Sequence, residues 1–270
     1  EQLLLDLARE SPDFSFTAKM YLLEVFEAQR DWQEGIRIAD ELRNSPDSCK
    51  QSASERGQSA DLLRLHYLCE QAEDALHSGE VSVARALLHR ALEGEAPNLR
   101  ARLGLSELEL AAGHLDQALN QLRAVIEEGE ECAPDVLAIL KAVCLAKGDN
   151  DLYRECLHDY QDRRTSVLLT LALAEQIQHQ DGREAATSFL RNALREQPSI
   201  TLVAATLLSD ASLEIDITET HLLRNATVDR QGYRCDNCGF SSGSRYWHCP
   251  CCRHWGSIHY LGSESDFDHV

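Results

Sequence analysis

The chain has 270 residues and a formal net charge of −19, set by 45 acidic against 26 basic side chains. The deficit runs throughout, −15 over residues 1–200 and −4 over 201–270, and only four lysines occur, none beyond Lys147. Phosphate binding needs clustered Lys and Arg, so this balance argues against a nucleic-acid partner, and no apolar run reaches the roughly 18 residues of a membrane-spanning helix.

Leu3–Glu10 reads as the end of a helix, and the chain opens on Glu1 without an initiating Met. A fragment of a longer protein is the expectation. From there to about residue 200 a phrase repeats: a small turn residue, Ala five positions on, an apolar residue four further, and a small or apolar residue three after that. Gly79, Ala84, Leu88 and Ala91 fit it, and Gly113, Ala118, Leu122 and Val125 repeat it 34 residues later. Asp181, Ala186, Leu190 and Ala193 fit it again, with Pro198 where the unit should end. Gly148 takes the turn position of another copy, with Tyr153 in place of Ala; Arg30, Gly35, Ala39, Leu42 and Pro46 form a weaker first copy, with Trp32 in its turn.

A 34-residue helix–turn–helix period with small residues at the helix crossing resembles the tetratricopeptide repeat (TPR). The small residue lets the two helices of a hairpin approach closely, and the apolar ones bury the seam to the next unit. Five copies and a leading fragment are predicted, over 1–200. The first two turn positions are 49 residues apart, and the excess, residues 46–60, is polar and Ser-rich. The helix propensity of Ser52–Arg64 favours an extension of the flanking helices there.

Stacked repeats curve into grooves that take a peptide or helix, and the resemblance implies that the first helix of each repeat lines the groove. This places His66, Cys69, Glu73, Arg100, Leu103, Glu107 and Leu110 as candidate partner contacts. No catalytic constellation accompanies them: the chain has no Gly-rich phosphate loop, no nucleophile elbow and no His-Glu-x-x-His pair.

Residues 201–232 read as terminal helices, one over Ile200–Leu208 and one over 215–229. Only Arg230, Gln231 and Gly232 then precede Tyr233, too few for a free tether, so the following module is expected to dock against the last helices.

That module, 233–260, holds Cys235-x2-Cys238 and Cys249-x2-Cys252 with ten residues between the pairs. Two thiolates two residues apart sit on one tight turn, and two such turns supply the four sulfurs of a tetrahedral site. Cys235, Cys238, Cys249 and Cys252 are therefore the predicted ligands of one structural metal ion. Zinc is favoured and iron possible, since four thiolates suit both. Cys251, His248 and His254 are expected to stay off the metal. Tyr233 and Trp247 each precede a knuckle by two residues, which suggests two short strands, with Phe240, Tyr246 and Trp255 completing a small core. The five other cysteines, Cys49, Cys69, Cys132, Cys144 and Cys156, are scattered, and this usage suits a reducing cytosol. Residues 261–270 are an acidic tail.

The pattern Y-x-C-x-x-C-G followed by C-P-x-C resembles rubredoxin, an iron-tetrathiolate electron carrier, which supplies an alternative reading. Arg253 in place of the second knuckle's Gly and the short spacer count against it. A helical repeat array ending in Tyr233-Arg234-Cys235, Cys238-Gly239-Phe240, Tyr246-Trp247-His248-Cys249-Pro250 and Cys252-Arg253 with Trp255 is similar to the lipopolysaccharide assembly protein B family. The resemblance implies a mostly all-α TPR solenoid with a small β rubredoxin-like or zinc-ribbon module. It implies a non-enzymatic adaptor held at the cytoplasmic face of the bacterial inner membrane by an N-terminal transmembrane helix outside this chain. It also implies that the adaptor restrains lipopolysaccharide synthesis by helping present the lipid A pathway deacetylase LpxC to the membrane protease FtsH. Self-association is a further open expectation.

Overall fold

In the computed structural model the described residues are 1–44, 58–93, 98–128, 133–163, 166–196, 198–210 and 232–261. They form twelve helices followed by three short strands. No helix among them is long and apolar enough to cross a membrane. The chain divides into two compact units, Glu1–His114 with Trp247–Gly256, and Leu115–Tyr246 with Ser257–Val270.

The first unit contains α1 (Gln2–Glu10), α2 (Pro12–Gln29), α3 (Trp32–Arg43), α4 (Ala60–His77), α5 (Val81–Leu92) and α6 (Leu99–Ala111). Polar side chains start several of them. Asp31, Ser59 and Asn98 accept hydrogen bonds from the amides of Glu34, Leu62 and Ala101, satisfying donors that a helix start leaves open. Left-handed residues stop them: Arg30 at φ 58°, Gly79 at 78° and Gly113 at 78°. The crossing positions are closed as the repeat phrase requires, with Ala84 fully buried and Gly35 buried at the same place in the first copy. At Gly35 even a methyl group is too large. A Cβ there would stand 2.9 Å from the ring of Tyr67, itself fully buried. Because α3 stops at Arg43 and Ser59 caps α4, the predicted extension of the flanking helices is not found at either described end. The rest of that segment, 45–57, lies outside the described residues.

The second unit contains α7 (Leu115–Glu127), α8 (Pro134–Lys147), α9 (Asn150–Arg163), α10 (Val167–Gln180), α11 (Arg183–Glu196) and α12 (Ile200–Ser209). Gly148 again turns left-handed after α8, and Tyr153 is buried at the position where other copies carry Ala. After α10 the left-handed residue is Gly182 (φ 93°); Asp181 is still right-handed. This turn is one residue shorter than the phrase predicts, yet Ala186 and Leu190 are buried as expected. The predicted helix over 215–229 lies outside the described residues.

A three-stranded antiparallel sheet closes this unit, in the order β2 (Ser241–Ser242), β1 (Gly232–Cys235), β3 (Ile258–Leu261). Tyr233 pairs with Ser242 on one side and Tyr260 on the other. The period-two alternation buries Tyr233 and Cys235 on β1, Ile258 and Tyr260 on β3.

Candidate metal centre

The two knuckles are built alike. In the first, the Gly239 amide donates to the Cys235 carbonyl at 2.8 Å and the Cys235 amide to the Phe240 carbonyl at 2.8 Å. In the second, the Arg253 amide donates to Cys249 and the Cys249 amide to His254, each at 2.9 Å. Both turns need a left-handed residue directly after the second cysteine. Gly239 takes φ 74° without cost, whereas Arg253 is forced to 58°. The sequence flagged that Arg as a departure, and the backbone makes the same turn despite it.

The four sulfurs of Cys235, Cys238, Cys249 and Cys252 lie within 4.8 Å of one another. Tetrahedral thiolate ligation at about 2.3 Å sets neighbouring sulfurs about 3.8 Å apart. The cluster therefore fits a single four-coordinate ion, with the cysteines of each pair carried on a rigid turn. Cys235 and Cys249 are buried and Cys238 is exposed. Cys251, His248 and His254 stand outside the cluster, and the Cys251 side is open to solvent. Elsewhere, Cys69, Cys144 and Cys156 are buried free thiols, and burial pushes the Cys69 thiol up to about 12, which keeps it protonated and inert. Cys49 and Cys132 lie outside the described residues.

The second knuckle is part of the first unit's core. Trp255, 3% exposed, stacks on His66 at 5.0 Å and His248 at 4.2 Å and meets Tyr67 and Trp32 edge-on at 6.1 and 6.4 Å. Its indole N–H donates to Glu27 at 3.0 Å. Gln58 brackets its backbone, the amide group donating to the Trp255 carbonyl at 2.9 Å and the amide oxygen accepting from its N–H at 3.2 Å. The Arg100 guanidinium lies 5.6 Å from the Trp255 ring and 5.9 Å from that of Trp247. The second knuckle is entered through an isolated bridge between His248 and Trp255 and not through a second strand. Within the second unit, Tyr233 donates to Asp135 at 3.1 Å and Arg245 reaches the same carboxylate at 2.7 Å, its guanidinium over the Tyr233 ring. Burial and the Asp135 charge both raise the Tyr233 phenol.

Docking on the terminal helices was the sequence expectation. The described contacts of the second knuckle are with α2, α3, α4 and α6, and residues 211–231 lie outside the described ones. Trp255 likewise joins the helical core, and does not complete a core of the module. Among the candidate partner contacts, His66 (3% exposed), Cys69, Arg100 and Leu103 are buried. His66 and Arg100 lie beneath the knuckle, and Arg100 is forked by Glu70 and Glu73 at 2.7 Å each. Leu110 is half-buried, while Glu73 and Glu107 are exposed. Glu27, Gln58, Asp135 and Arg245 were not singled out in the sequence. Their roles arise across separations such as the 228 residues from Glu27 to Trp255, for which no local spacing carries a signal.

Comparison with known proteins gives the family context. Residues 233–259 match the family described as "Rubredoxin metal binding domain", and residues 75–143 match "Tetratricopeptide repeat". Over 92% of its length the chain is 25% identical to "Lipopolysaccharide assembly protein B" of Escherichia coli (strain K12). It is 26% identical, also over 92% of its length, to the protein of that name from Haemophilus influenzae. The chain spans 63% and 62% of the lengths of these relatives. The resemblance carried by the cysteine motif and the repeats thus extends along nearly the whole chain, and the TPR-plus-metal-ribbon fold class holds.

Proposed function

We propose that this chain is a non-enzymatic adaptor in lipopolysaccharide assembly. Its helical array binds partner proteins, and a metal ion held by Cys235, Cys238, Cys249 and Cys252 fixes the knuckles that complete the array. The observation that carries this reading is the burial of Trp255 among α2, α3, α4 and α6. A knuckle whose ring is core to the helices serves their shape. The name of the relatives supports the pathway.

Following the family resemblance, the partners are LpxC and FtsH, the first presented to the second for degradation at the cytoplasmic face of the inner membrane. The match to a rubredoxin-type metal-binding family and the four-sulfur cluster support one bound ion, which this reading takes as structural, zinc before iron. Affinity purification of the full-length, membrane-anchored protein, wild type against a four-cysteine-to-serine variant, tests the reading. Loss of metal together with loss of LpxC and FtsH capture is expected. A folded, metal-free variant that still captures both and still lowers LpxC levels overturns it. A reversible one-electron iron couple in protein purified without added metal would favour the electron-carrier alternative.

A further inference from the structure

Two buried thiols of the second unit take no part in the metal centre. Cys144 lies in the last turn of α8 and Cys156 in the middle of α9, and the left-handed Gly148 folds one helix back on the other. Their side chains are 1% and 2% exposed, hydrogen-bonded to each other and not joined in a disulfide. The repeat does not demand sulfur there. Four positions before and eight after the turn glycine, the Gly79 hairpin carries Ala75 and Leu87, and the Gly113 hairpin Glu109 and Gln121. Quite different pairs thus serve the packing at these positions. A third group sets the Gly148 hairpin apart: Arg123, exposed on α7, hydrogen-bonds the Cys156 side chain.

The thiolate, not the thiol, attacks oxidants, and a neighbouring cation favours it. At Cys156 the Cys144 S–H donates to the sulfur, and the Arg123 charge and hydrogen bond add to that. Together they lower the Cys156 thiol to about 7, against burial and the Asp159 charge. Cys144 moves the other way, held protonated first by that same hydrogen bond and then by burial, with Asp149 adding to both. The pair therefore divides into a nucleophile and a resolving thiol in contact with it, the arrangement that carries a cysteine from sulfenic acid to disulfide. The route in is short. Leu145, Gly148 and Asp149 beside Cys144 are exposed. A helix end opens locally at far lower cost than the whole chain, which admits an oxidant little larger than water.

We propose that Cys144 and Cys156 are a modification site for hydroperoxides, oxidised in two steps to a disulfide that ties α8 to α9. The Cys156 thiolate attacks one oxygen of hydrogen peroxide. The S–O bond forms as the O–O bond breaks, and the hydroxide that leaves takes up the proton Cys156 had released. The Cys144 sulfur then attacks the sulfenic sulfur. An S–S bond replaces the S–O bond, and the hydroxyl departs with the Cys144 proton as water. Two thiols and one peroxide thus give one disulfide and two waters; each sulfur gives up one electron and the peroxide takes two. An added dithiol returns the reduced pair by thiol–disulfide exchange.

The test treats the metal-loaded full chain with hydrogen peroxide at neutral pH, quenches early samples with iodoacetamide in denaturant, and follows tryptic peptides by mass spectrometry. Cys144 and Cys156 fall on separate peptides, 142–147 and 155–163, so their disulfide is one joined species that a reductant splits. Cys69, buried and held protonated, is the internal standard. Cys156 should lose its free thiol at least about tenfold faster than Cys69, with the joined peptide as product. Cys144→Ser should stop at a Cys156 sulfenic acid that dimedone traps, and Cys156→Ser should leave Cys144 as slow as Cys69. Arg123→Gln should slow the reaction about three- to tenfold, and Arg123→Lys, which keeps the charge, by less. Far-UV circular dichroism checks that each variant is folded; should Cys156→Ser not fold, the wild-type, Cys144→Ser and Arg123 rates decide. A Cys156 no faster than Cys69, a cross-link of either thiol to any other cysteine, or equal rates in wild type and Arg123→Gln overturns the assignment.

Discussion

Truncating Trp255 to Ala should undo the docking of the second knuckle. The indole is 3% exposed and fills a slot between His66, Tyr67, Trp32 and His248. A buried tryptophan removes up to about 250 Å² from water, which at about 25 cal/mol/Å² is worth up to about 6 kcal/mol. Part of that returns when the slot relaxes, and Trp→Ala in cores costs about 3–5 kcal/mol. The Glu27 carboxylate also loses the indole N–H at 3.0 Å while remaining largely buried. Trp255→Phe keeps the stacking and loses that bond, at about 1.5–3 kcal/mol for a hydrogen bond to a charged group. At about 2–4 °C per kcal/mol for a chain of this size, the Ala variant should melt about 10 °C lower and the Phe variant about half as far. Hydrogen exchange separates global from local loss, since the Cys249 and Arg253 amides are bonded inside the knuckle and should lose protection in the Ala variant. A Trp255→Ala protein that melts with the wild type and protects those amides equally would show that the knuckle does not depend on the slot.

Replacing Cys235 or Cys249 by Ser should remove one sulfur of the cluster, release the metal, and cost a large part of the order of 10 kcal/mol that metal contributes in small zinc modules; elemental analysis and near-UV circular dichroism read both effects. Gly239→Ala, at φ 74°, should destabilise the first knuckle by about 1 kcal/mol, whereas Arg253→Gly should hold or raise stability by a few tenths, measured as shifts in chelator-induced unfolding. His66 is held neutral by burial and then by the Arg100 charge, its pKa well below 6.5. The unfolded chain therefore takes up a proton first as pH falls through about 6.5, and stability should drop there by up to about 1.4 kcal/mol per pH unit. Denaturant titrations at pH 7.5 and 5.5 should show a smaller drop in His66→Gln than in wild type.

What the sequence discloses here follows the range of the interaction. The C-x2-C pairs disclose the four sulfurs because each pair shares one turn. Gly79, Gly113 and Gly148 disclose their turns because a left-handed residue is a local demand. The same logic slips by one residue at Asp181–Gly182, where the spacing of Ala186 and Leu190 is kept and the turn is shorter. Long-range pairing is invisible to it. His66 and Arg100 look like groove residues on α4 and α6, and they are covered because Trp255, far away in sequence from both, stacks on one and lies against the other. Gln58, at the edge of a polar stretch that reads as an insertion, turns out to hold the backbone of that tryptophan.

This covering links metal and helices thermodynamically. Cys249 and Cys252 flank the turn whose amides bind Cys249 and whose exit carries Trp255. Ligation fixes that turn and aims the indole, and the docked indole in turn holds two of the four sulfurs where the ion needs them. If docking favours the ligating conformation by some factor, ligation must favour docking by the same factor. Truncating Trp255 should therefore weaken metal binding without touching a ligand. At a coupling of about 1–3 kcal/mol this is about 5- to 150-fold, read by competition against a chromophoric chelator at fixed pH. The Trp255→Phe variant, which preserves the stack on His66, should lie between. Equal metal affinity in wild type and Trp255→Ala would mean that the knuckle pair binds its ion independently of the helices, and would remove the physical basis for treating the module as part of the array.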